Sequence, residues 1–467
     1  MADSNAAGPS QDPASRSWLD RGLGLLTVVR GGEGASALLL AFNVCLLLCA
    51  YYVLKPVREA LILSGGGAEI KSYAAVGQVL LLALIVPGYS WLVNHFDRAK
   101  LIRTVTFIFV GCLVAFYFAA KAQMPGLGIV FFLWVGIFNL MVVAQFWAFA
   151  SDLYSREQGE RLFPIVAFGA SSGAVAGSQL TSLLVGPLGV PQMLLVSGAL
   201  LLCALLLTLA SEYFSARAAK SAEAQEGPSS DEQQAPKDEE TNSGAGAFQL
   251  VIQSPYLRLI GVLMLLTNLV NTTGEFLLGS FVAEQAARVV SGDQVKVWIG
   301  QFYSNFYFWV NLLGAFIQLV IAPRFIRHLG VRVALLVLPA VALFGYLAVA
   351  FLPVLWTVRW AKTGENAFDY SLNNTVRNAL FLPLTAEEKY KAKQVVDTIF
   401  VRAGDVFSAG LVFVGLRWLH APLSLFAAVN AALVVVWLFV AFRLGKAYVE
   451  RAKSDGDEPG KEPATAG

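Results

Sequence analysis

Long apolar runs separated by short polar loops fill most of the chain. A helix needs about 20 largely apolar residues to cross the roughly 30 Å hydrocarbon core of a bilayer. About twelve runs approach that length, and they are continuous instead of alternating. This favours helices, which satisfy their own backbone groups in lipid. We therefore predict an all-α polytopic membrane protein. The predicted spans lie near residues 35–54, 73–94, 104–121, 127–150, 164–186, 190–211, 257–282, 297–322, 332–352, 354–378, 395–416 and 421–445.

Hydrophilic stretches divide these spans into two sets of about six. Residues 212–250 are rich in Glu, Ser, Gln, Ala and Pro, and a segment with so few large apolar residues cannot form a core. It is predicted to be a disordered cytoplasmic linker, and the tail 449–467 is also expected to be disordered. The other predicted units are a cytoplasmic N-terminal segment (1–34) and two six-helix halves (35–211 and 251–448).

The two halves resemble each other weakly, which indicates a duplication. KPVREALIL at the end of the first span matches NTTGEFLLG in the seventh, and this places Glu59 opposite Glu275. The alternative is that any two amphipathic membrane segments look alike. Two six-helix pseudo-repeats are the plan of many secondary transporters, whose substrate site lies near the midplane between the repeats.

Composition and charge support the membrane assignment. The chain is 57% hydrophobic and 14% charged, whereas soluble domains are about 45–50% apolar and about 25% charged. Lys and Arg gather in alternate loops, which predicts that both termini face the cytoplasm of a bacterial-type inner membrane. A net charge of +2 gives no reason to expect a nucleic-acid partner. The oligomeric state is left open, and a monomer is compatible with the sequence.

Several ionisable residues lie inside the predicted spans, where each costs at least about 2.5 kcal/mol unless it has a partner, water or a function. Lys55, Arg58 and Glu59 close the first span. They either snorkel to the outer interface or bring charge into a cavity. Polar residues of the tenth span recur every three or four positions and form one stripe, which either lines that cavity or is a structural ion-pair network. The charged members of the stripe are Arg359, Lys362, Asp369 and Arg377, and Glu365 is also in this span.

Four further charges belong to the other spans. Glu275 interrupts the seventh span, and Asp152 ends the fourth, where it is either a cavity or an interface residue. Arg402 and Asp405 lie three residues apart in the eleventh, close enough to neutralise one another. Basic groups are in excess, and Arg binds phosphate or carboxylate through paired hydrogen bonds. The pattern therefore favours a small anionic substrate.

The other motifs indicate helix packing, and none of them indicates a cofactor or a metal site. Gly169, Gly173 and Gly177 are four residues apart, which is typical of a face for close helix packing. The four cysteines lie in apolar runs without CxxC spacing. There is no GxxxxGK[ST] loop, so ATP, if bound, would be cargo and not fuel. The sequence also shows no nucleophile–base pair that would indicate an enzyme.

Four segments carry a resemblance to a known family. They are YYVLKPVREALIL (51–63), FWAFASDLYSREQGERLFPIVAFGA (146–170), LTNLVNTTGEFLLGSF (266–281) and DYSLNNTVRNALFLPLTAEEKYKAKQVVDTIFVRAGDVFSAG (369–410). In these segments the chain resembles the non-mitochondrial ATP/ADP translocases of plastids and intracellular bacteria, including a bacterial branch related to the major facilitator superfamily. The resemblance implies a major-facilitator-like fold and nucleotide exchange.

The resemblance also implies site residues. Charged positions of the family fall on Arg58, Glu59, Asp152 and Arg402. One acidic position falls on Asn271, where the charge is lost, and Glu275 follows one turn later.

A further resemblance concerns the loop NHFDRAK (94–100). It is similar to the major facilitator loop after the second span, in which an Asp–Arg pair helps to latch one conformation. Asp97 and Arg98 match that pair, although the leading Gly is absent.

The leading interpretation is a secondary transporter that exchanges ATP/ADP-type nucleotides by alternating access. One alternative is a transporter of another anionic metabolite, either with proton coupling through Glu59 or Glu275 or without it. Another is a membrane-embedded enzyme or assembly factor, which no motif supports. The candidate substrate-binding residues are Lys55, Arg58, Glu59, Asp152, Asn271, Glu275, Arg359, Lys362, Asp369, Arg377, Arg402 and Asp405.

Overall fold

Helices joined by short turns make up the computed structural model, which describes residues 33–95, 98–223 and 244–456. The first set comprises α1 Glu33–His95, α2 Arg98–Lys121, α3 Leu127–Leu153, α4 Arg156–Leu188 and α5 Val190–Glu223. The second set comprises α6 Gly244–Gln253, α7 Pro255–Val289, α8 Gln294–Phe316, α9 Ala322–Phe351, α10 Leu355–Phe368, α11 Asn374–Ala379, α12 Ala386–Val395, α13 Val401–Phe413 and α14 Leu423–Gly456.

Eight stretches of the described chain are long and apolar enough to cross a membrane. Two of them, within α1 and across α8 and α9, are kinked at Gly67 and Gly330, whose φ angles of 73° and 76° suit glycine. Each of these two contains two predicted spans. The predicted spans 164–186 and 354–378 lie on α4 and on α10 with α11, outside the eight. Every predicted span therefore lies on a helix, and the all-α polytopic membrane fold is confirmed.

The second set contains π-helical turns, which widen the helix and shift the side chains that follow relative to the 3.6-residue pattern. One joins α8 to α9, one joins α10 to α11, and two flank α13. These turns are Ile317–Ile321, Asp369–Asn373, Val396–Phe400 and Val414–Trp418. A polar stripe read from a regular helix therefore does not stay on one face across the second turn.

The ends of the predicted linker and tail are helical where the structure describes them. α5 continues to Glu223, and α6 begins at Gly244. The apolar sequence FQLVI explains the second difference, because it buries Val251 against the core. α14 likewise continues into the predicted tail, where Arg451 pairs with Glu388 at 3.1 Å. Residues 1–32, 224–243 and 457–467 lie outside the described residues, and so do the predictions made for them.

The first set meets the second mainly through two of its helices. α4 packs on α8, and α1 packs on α7, α8 and α13. The kink at Gly67 determines what α1 brings to this junction. The first span was predicted to end at residue 54, but the helix continues to the kink. At 1.5 Å per residue, Lys55 lies roughly 18 Å before it. Lys55 is therefore inside the helix, and 92% of its surface is buried, which excludes simple snorkelling at a helix end.

The glycine face of α4 lies directly against the backbone of α1. A Cβ atom added at Gly169, Gly173 or Gly177 would overlap a carbonyl oxygen of α1. The oxygens belong to Ala41, Cys45 and Cys49, which are also four residues apart. The packing role predicted for GASSGAVAG is confirmed.

Replacing Gly173 with Leu should destabilise the protein, because the obstructing atoms are backbone and cannot rotate away. Overpacking typically costs about 1–3 kcal/mol. Thermal unfolding of the purified variant in detergent measures the loss. Gly111→Leu is the matched control, since no atom lies within 4 Å of a Cβ built there. Equal unfolding temperatures for the two variants would contradict the proposed contact.

Candidate functional site

A cavity of about 220 Å³ lies where the first set meets the second. α1, α3, α7, α8, α13 and the π turn after α10 all contribute to its wall. Four basic and two acidic side chains line it. These are Lys55, Arg58, Lys71, Arg402, Glu275 and Asp405. The other lining residues are Ser72, Ala75, Gln78, Phe132, Asn271, Thr272, Phe276, Tyr307 and Tyr370.

The kink in α1 brings two cations onto one carboxylate. Arg58 Nη2 lies 2.5 Å from Glu59 Oε1, and Lys71 Nζ lies 2.7 Å from Glu59 Oε2. Lys71 follows Gly67, so the chain must turn back at this glycine for Lys71 to reach Glu59. The Glu59 side chain has no exposed surface. Glu59 therefore holds both cations beside the cavity without lining it.

Lys55 is held in a different way, by aromatic rings. Its Nζ lies 4.1 Å from the ring centroid of Tyr307, 5.2 Å from that of Tyr52 and 5.5 Å from that of Tyr370. Such contacts stabilise an ammonium group through the negative face of the ring. Within the part of the chain that the structure describes, Lys55 has no ion pair with a carboxylate. Its positive charge thus has no fixed internal counter-ion.

Glu275 continues the line of charges into the second set. Its carboxylate lies 3.5 Å from Lys71 Nζ and 3.8 Å from Lys362 Nζ. Asn366 Nδ2 donates to it at 3.2 Å. Lys362 lies in turn 3.1 Å from Glu365. Positive and negative groups therefore alternate from α1 through α7 to α10.

Arg402 is the most accessible cation of the cavity wall, with 42% of its side chain exposed. It lies 3.4 Å from Asp405 Oδ2. The other oxygen of Asp405 accepts hydrogen bonds from Asn268 Nδ2 at 2.7 Å and Thr272 Oγ1 at 2.8 Å. Asp405 is thus fixed by neutral donors, and Arg402 retains surface that a ligand can reach.

The predicted site residues separate into three groups in the structure. Those that line the cavity are Lys55, Arg58, Asn271, Glu275, Arg402 and Asp405. Glu59 and Lys362 lie behind the wall, in the line of charges. Those that do not line the cavity are Asp152, Arg359, Asp369 and Arg377.

The residues outside the cavity have other surroundings. Arg359 donates to Asn305 on α8, Asn373 donates to Asp369 at 2.8 Å, and Arg377 lies 3.2 Å from Asp397. The π turn after α10 begins at Asp369 and lies between Lys362 and Arg377, so the predicted stripe does not form one cavity face.

The remaining predictions fall at the ends of helices. Asp152 is exposed at the end of α3. Asp97 and the side chain of Arg98 lie outside the described residues, and with them the predicted latch.

Sequence reasoning missed Lys71 and the tyrosines. Lys71 follows the glycine-rich segment SGGG and lies between the predicted spans 35–54 and 73–94, so it is not among the charges inside a span. Tyr307 and Tyr370 resemble ordinary core aromatics in a membrane helix, and no spacing distinguishes them. Within the described residues, no three His, Cys, Asp or Glu side chains are grouped to hold a metal ion.

Comparison with known proteins gives a family and related carriers. Residues 37–364 match the model of the Major Facilitator Superfamily. The chain is 23% identical to ADP,ATP carrier protein 1 of Chlamydia trachomatis over 68% of its length, and it spans just under two thirds (65%) of that relative. It is also 23% identical to ADP,ATP carrier protein 5 of Rickettsia bellii, over 86% of this chain and 91% of the relative. The resemblance to ATP/ADP translocases is confirmed at this level.

A solved structure supports the fold alone. A variant of the nucleoside transporter NupG superposes with a TM-score of 0.60 and 14% sequence identity. The match covers 88% of this chain and 99% of the NupG chain.

Replacing Glu59 with Ala should strongly destabilise the protein, because Arg58 loses its carboxylate and Lys71 its closest one. Breaking a buried pair costs about 3–5 kcal/mol. Thermal unfolding in detergent gives the comparison with Glu284→Ala, which removes an exposed pair with Arg288 worth about 0–1 kcal/mol. If Glu59→Ala unfolded at the same temperature as this control, the buried line of charges would be refuted.

Proposed function

Because the chain belongs to the Major Facilitator Superfamily and is a multi-pass membrane transporter, we propose that it carries an organic anion and exchanges ATP/ADP-type nucleotides. The two sets of helices would be the two halves that rock about the cavity. The basic loops support a cytoplasmic position for both termini. The small molecule and the lipid bilayer are then its partners.

The observation that carries this proposal is the uncompensated charge of the cavity wall. Four basic side chains face two carboxylates of the wall, and Glu59 behind it pairs with Arg58 and Lys71. Lys55 pairs with none of these carboxylates in the part of the chain that the structure describes. A buried charge is stable only when it is paired and hydrogen-bonded. The aromatic rings satisfy part of this need for Lys55, and an anionic cargo supplies the rest. A cationic cargo or a neutral sugar would leave the excess positive charge of the cavity wall without a counter-ion.

Related carriers support the nucleotide as the cargo. The relatives are named as carriers of ADP and ATP. Arg58 and Arg402 occupy charged positions of the ATP/ADP translocases and both line the cavity. Asn271 occupies an acidic position of those proteins, and its Oδ1 lies 2.7 Å from Lys362 Nζ. Glu275, one turn later, brings a carboxylate to the same wall and compensates for that change.

Exchange, instead of one-way transport, is supported by a pair that joins the two sets at the cavity wall. Lys71 on α1 lies 3.5 Å from Glu275 on α7, and both line the cavity. If the sets rock apart while the carrier is empty, Lys71 keeps only Glu59 and Glu275 keeps only Lys362, and the loss of the pair between them is unfavourable. A bound phosphate can replace Glu275 as the partner of Lys71. The loaded carrier therefore changes conformation more readily than the empty one.

A proton-coupled carrier of another anionic metabolite is the second candidate. Glu275 has 21% of its side chain exposed and lines the cavity, so solvent can reach it. Glu59 is fully buried between two cations and is the poorer relay. Uptake that stops when a protonophore collapses the pH gradient would favour this candidate.

Uptake of labelled ATP into proteoliposomes should require internal ADP. Lys55→Ala and Arg402→Ala should each reduce it at least about tenfold, since a hydrogen bond to a charged group contributes about 1.5–3 kcal/mol. Arg288→Ala is the control, because Arg288 is exposed and pairs only with Glu284 among the described residues. Equal uptake into empty vesicles would contradict exchange. Unchanged uptake by folded Lys55→Ala would contradict the proposed anion site.

A further inference from the structure

Lys362 is a buried cation that the proposed cargo does not touch. Its side chain is 1% exposed and does not line the cavity. Its Nζ is surrounded by oxygen atoms of three residues. They are Asn271 Oδ1 at 2.7 Å, Glu365 Oε1 at 3.1 Å, the Asn271 carbonyl oxygen at 3.3 Å and Glu275 Oε1 at 3.8 Å.

These four oxygen atoms form a cage around Lys362 Nζ, and neighbouring residues hold the cage in place. Tyr346 donates to Glu365 Oε2 at 2.6 Å, and its hydroxyl lies 3.3 Å from the Val270 carbonyl oxygen. Gly274 makes room for this approach to α7. A Cβ there would overlap the Tyr346 hydroxyl and lie 3.0 Å from Lys362 Cδ. The cage is thus a close-packed part of the junction between α7, α9 and α10.

Carboxylate, amide and backbone carbonyl oxygens are also the ligands of hard metal cations. In many secondary transporters such oxygens bind the coupling ion, which enters and leaves in each cycle. Here the ammonium group of Lys362 fills the cage and cannot leave, because it is covalently attached. We propose that Lys362 is a tethered cation that takes the place of a coupling ion at this site, so that the carrier needs no Na⁺ there. This inference uses only the transporter fold and holds for any cargo.

The tethered charge also gives Glu275 a fixed neighbour. Glu275 lies between Lys71 of the first set and Lys362 of the second. When an anionic cargo takes over Lys71, Glu275 still has Lys362 as a counter-ion. A free coupling ion would have to bind at this step of the cycle, whereas the ammonium group of Lys362 is already in place. The cage can therefore stabilise Glu275 throughout the cycle without binding and releasing an ion.

Removing the ammonium group while keeping its oxygen ligands should turn the cage into a site for a free cation. In Lys362→Ala the space is open and both carboxylates remain. We expect this variant to unfold at a temperature several degrees higher in NaCl than in choline chloride of equal ionic strength, with a saturable dependence on Na⁺. The wild-type protein should unfold at the same temperature in both salts. Thermal unfolding of purified protein in detergent measures both.

Two control variants separate ion binding from a general effect of salt. Lys362→Met fills the space with an apolar chain and should show no difference between Na⁺ and choline. Lys362→Ala with Glu365→Gln removes one carboxylate and should lose most of the response. Wild-type protein that is itself stabilised by Na⁺ over choline would overturn the proposal, as would a Lys362→Ala variant that responds equally to both salts.

If Lys362→Ala does not fold in choline, recovery of a monodisperse peak in size-exclusion chromatography becomes the measurement. The proposal predicts recovery in NaCl and none in choline chloride. Failure in both salts would overturn it. Failure of ATP uptake, in contrast, would affect only the proposed cargo.

Discussion

The alternation of buried charges across the centre of the molecule is the constraint on which the rest depends. It runs from Arg58 through Glu59 and Lys71 to Glu275, and then to Lys362 and Glu365. In a low-dielectric interior, each member needs its neighbours, because an unpaired buried charge costs several kcal/mol. The kink at Gly67 lets Lys71 reach Glu59, and the absence of a side chain at Gly274 leaves room for Lys362 beside α7.

Each set of helices fixes a different part of this line of charges. Within α1, Glu59 fixes two cations beside the cavity. Within the second set, Lys362 fixes Glu275 and Asn271 on α7. The sets are joined where Lys71 meets Glu275. Among the pairs of this line, it is the one that crosses from the first set to the second, and it lies at the cavity wall, where a cargo can replace one of its members. Lys55, surrounded by tyrosines, adds a charge that pairs with no carboxylate among the described residues.

Much of the fold could be predicted from the sequence, because length and hydropathy determine whether a segment can span a bilayer. Lys55, Arg58, Glu275 and Arg402 could be found as candidates since charge inside an apolar run is costly wherever it occurs. Distances could not be predicted. Lys71 depends on a turn at Gly67, and the fates of Asp369 and Arg377 depend on a π turn that no residue pattern indicates. The helical beginning of α6 depends on burial of Val251 against distant residues.

The central claim is that the cavity binds an anion through charge that the protein leaves uncompensated. Calorimetric titration of the purified protein in detergent with ATP and with adenosine, at low and at high salt, tests it most directly. The account predicts that ATP binds, that its affinity falls as salt screens the cations, and that adenosine binds far more weakly. Binding of adenosine as tight as that of ATP, with no dependence on salt, would contradict it.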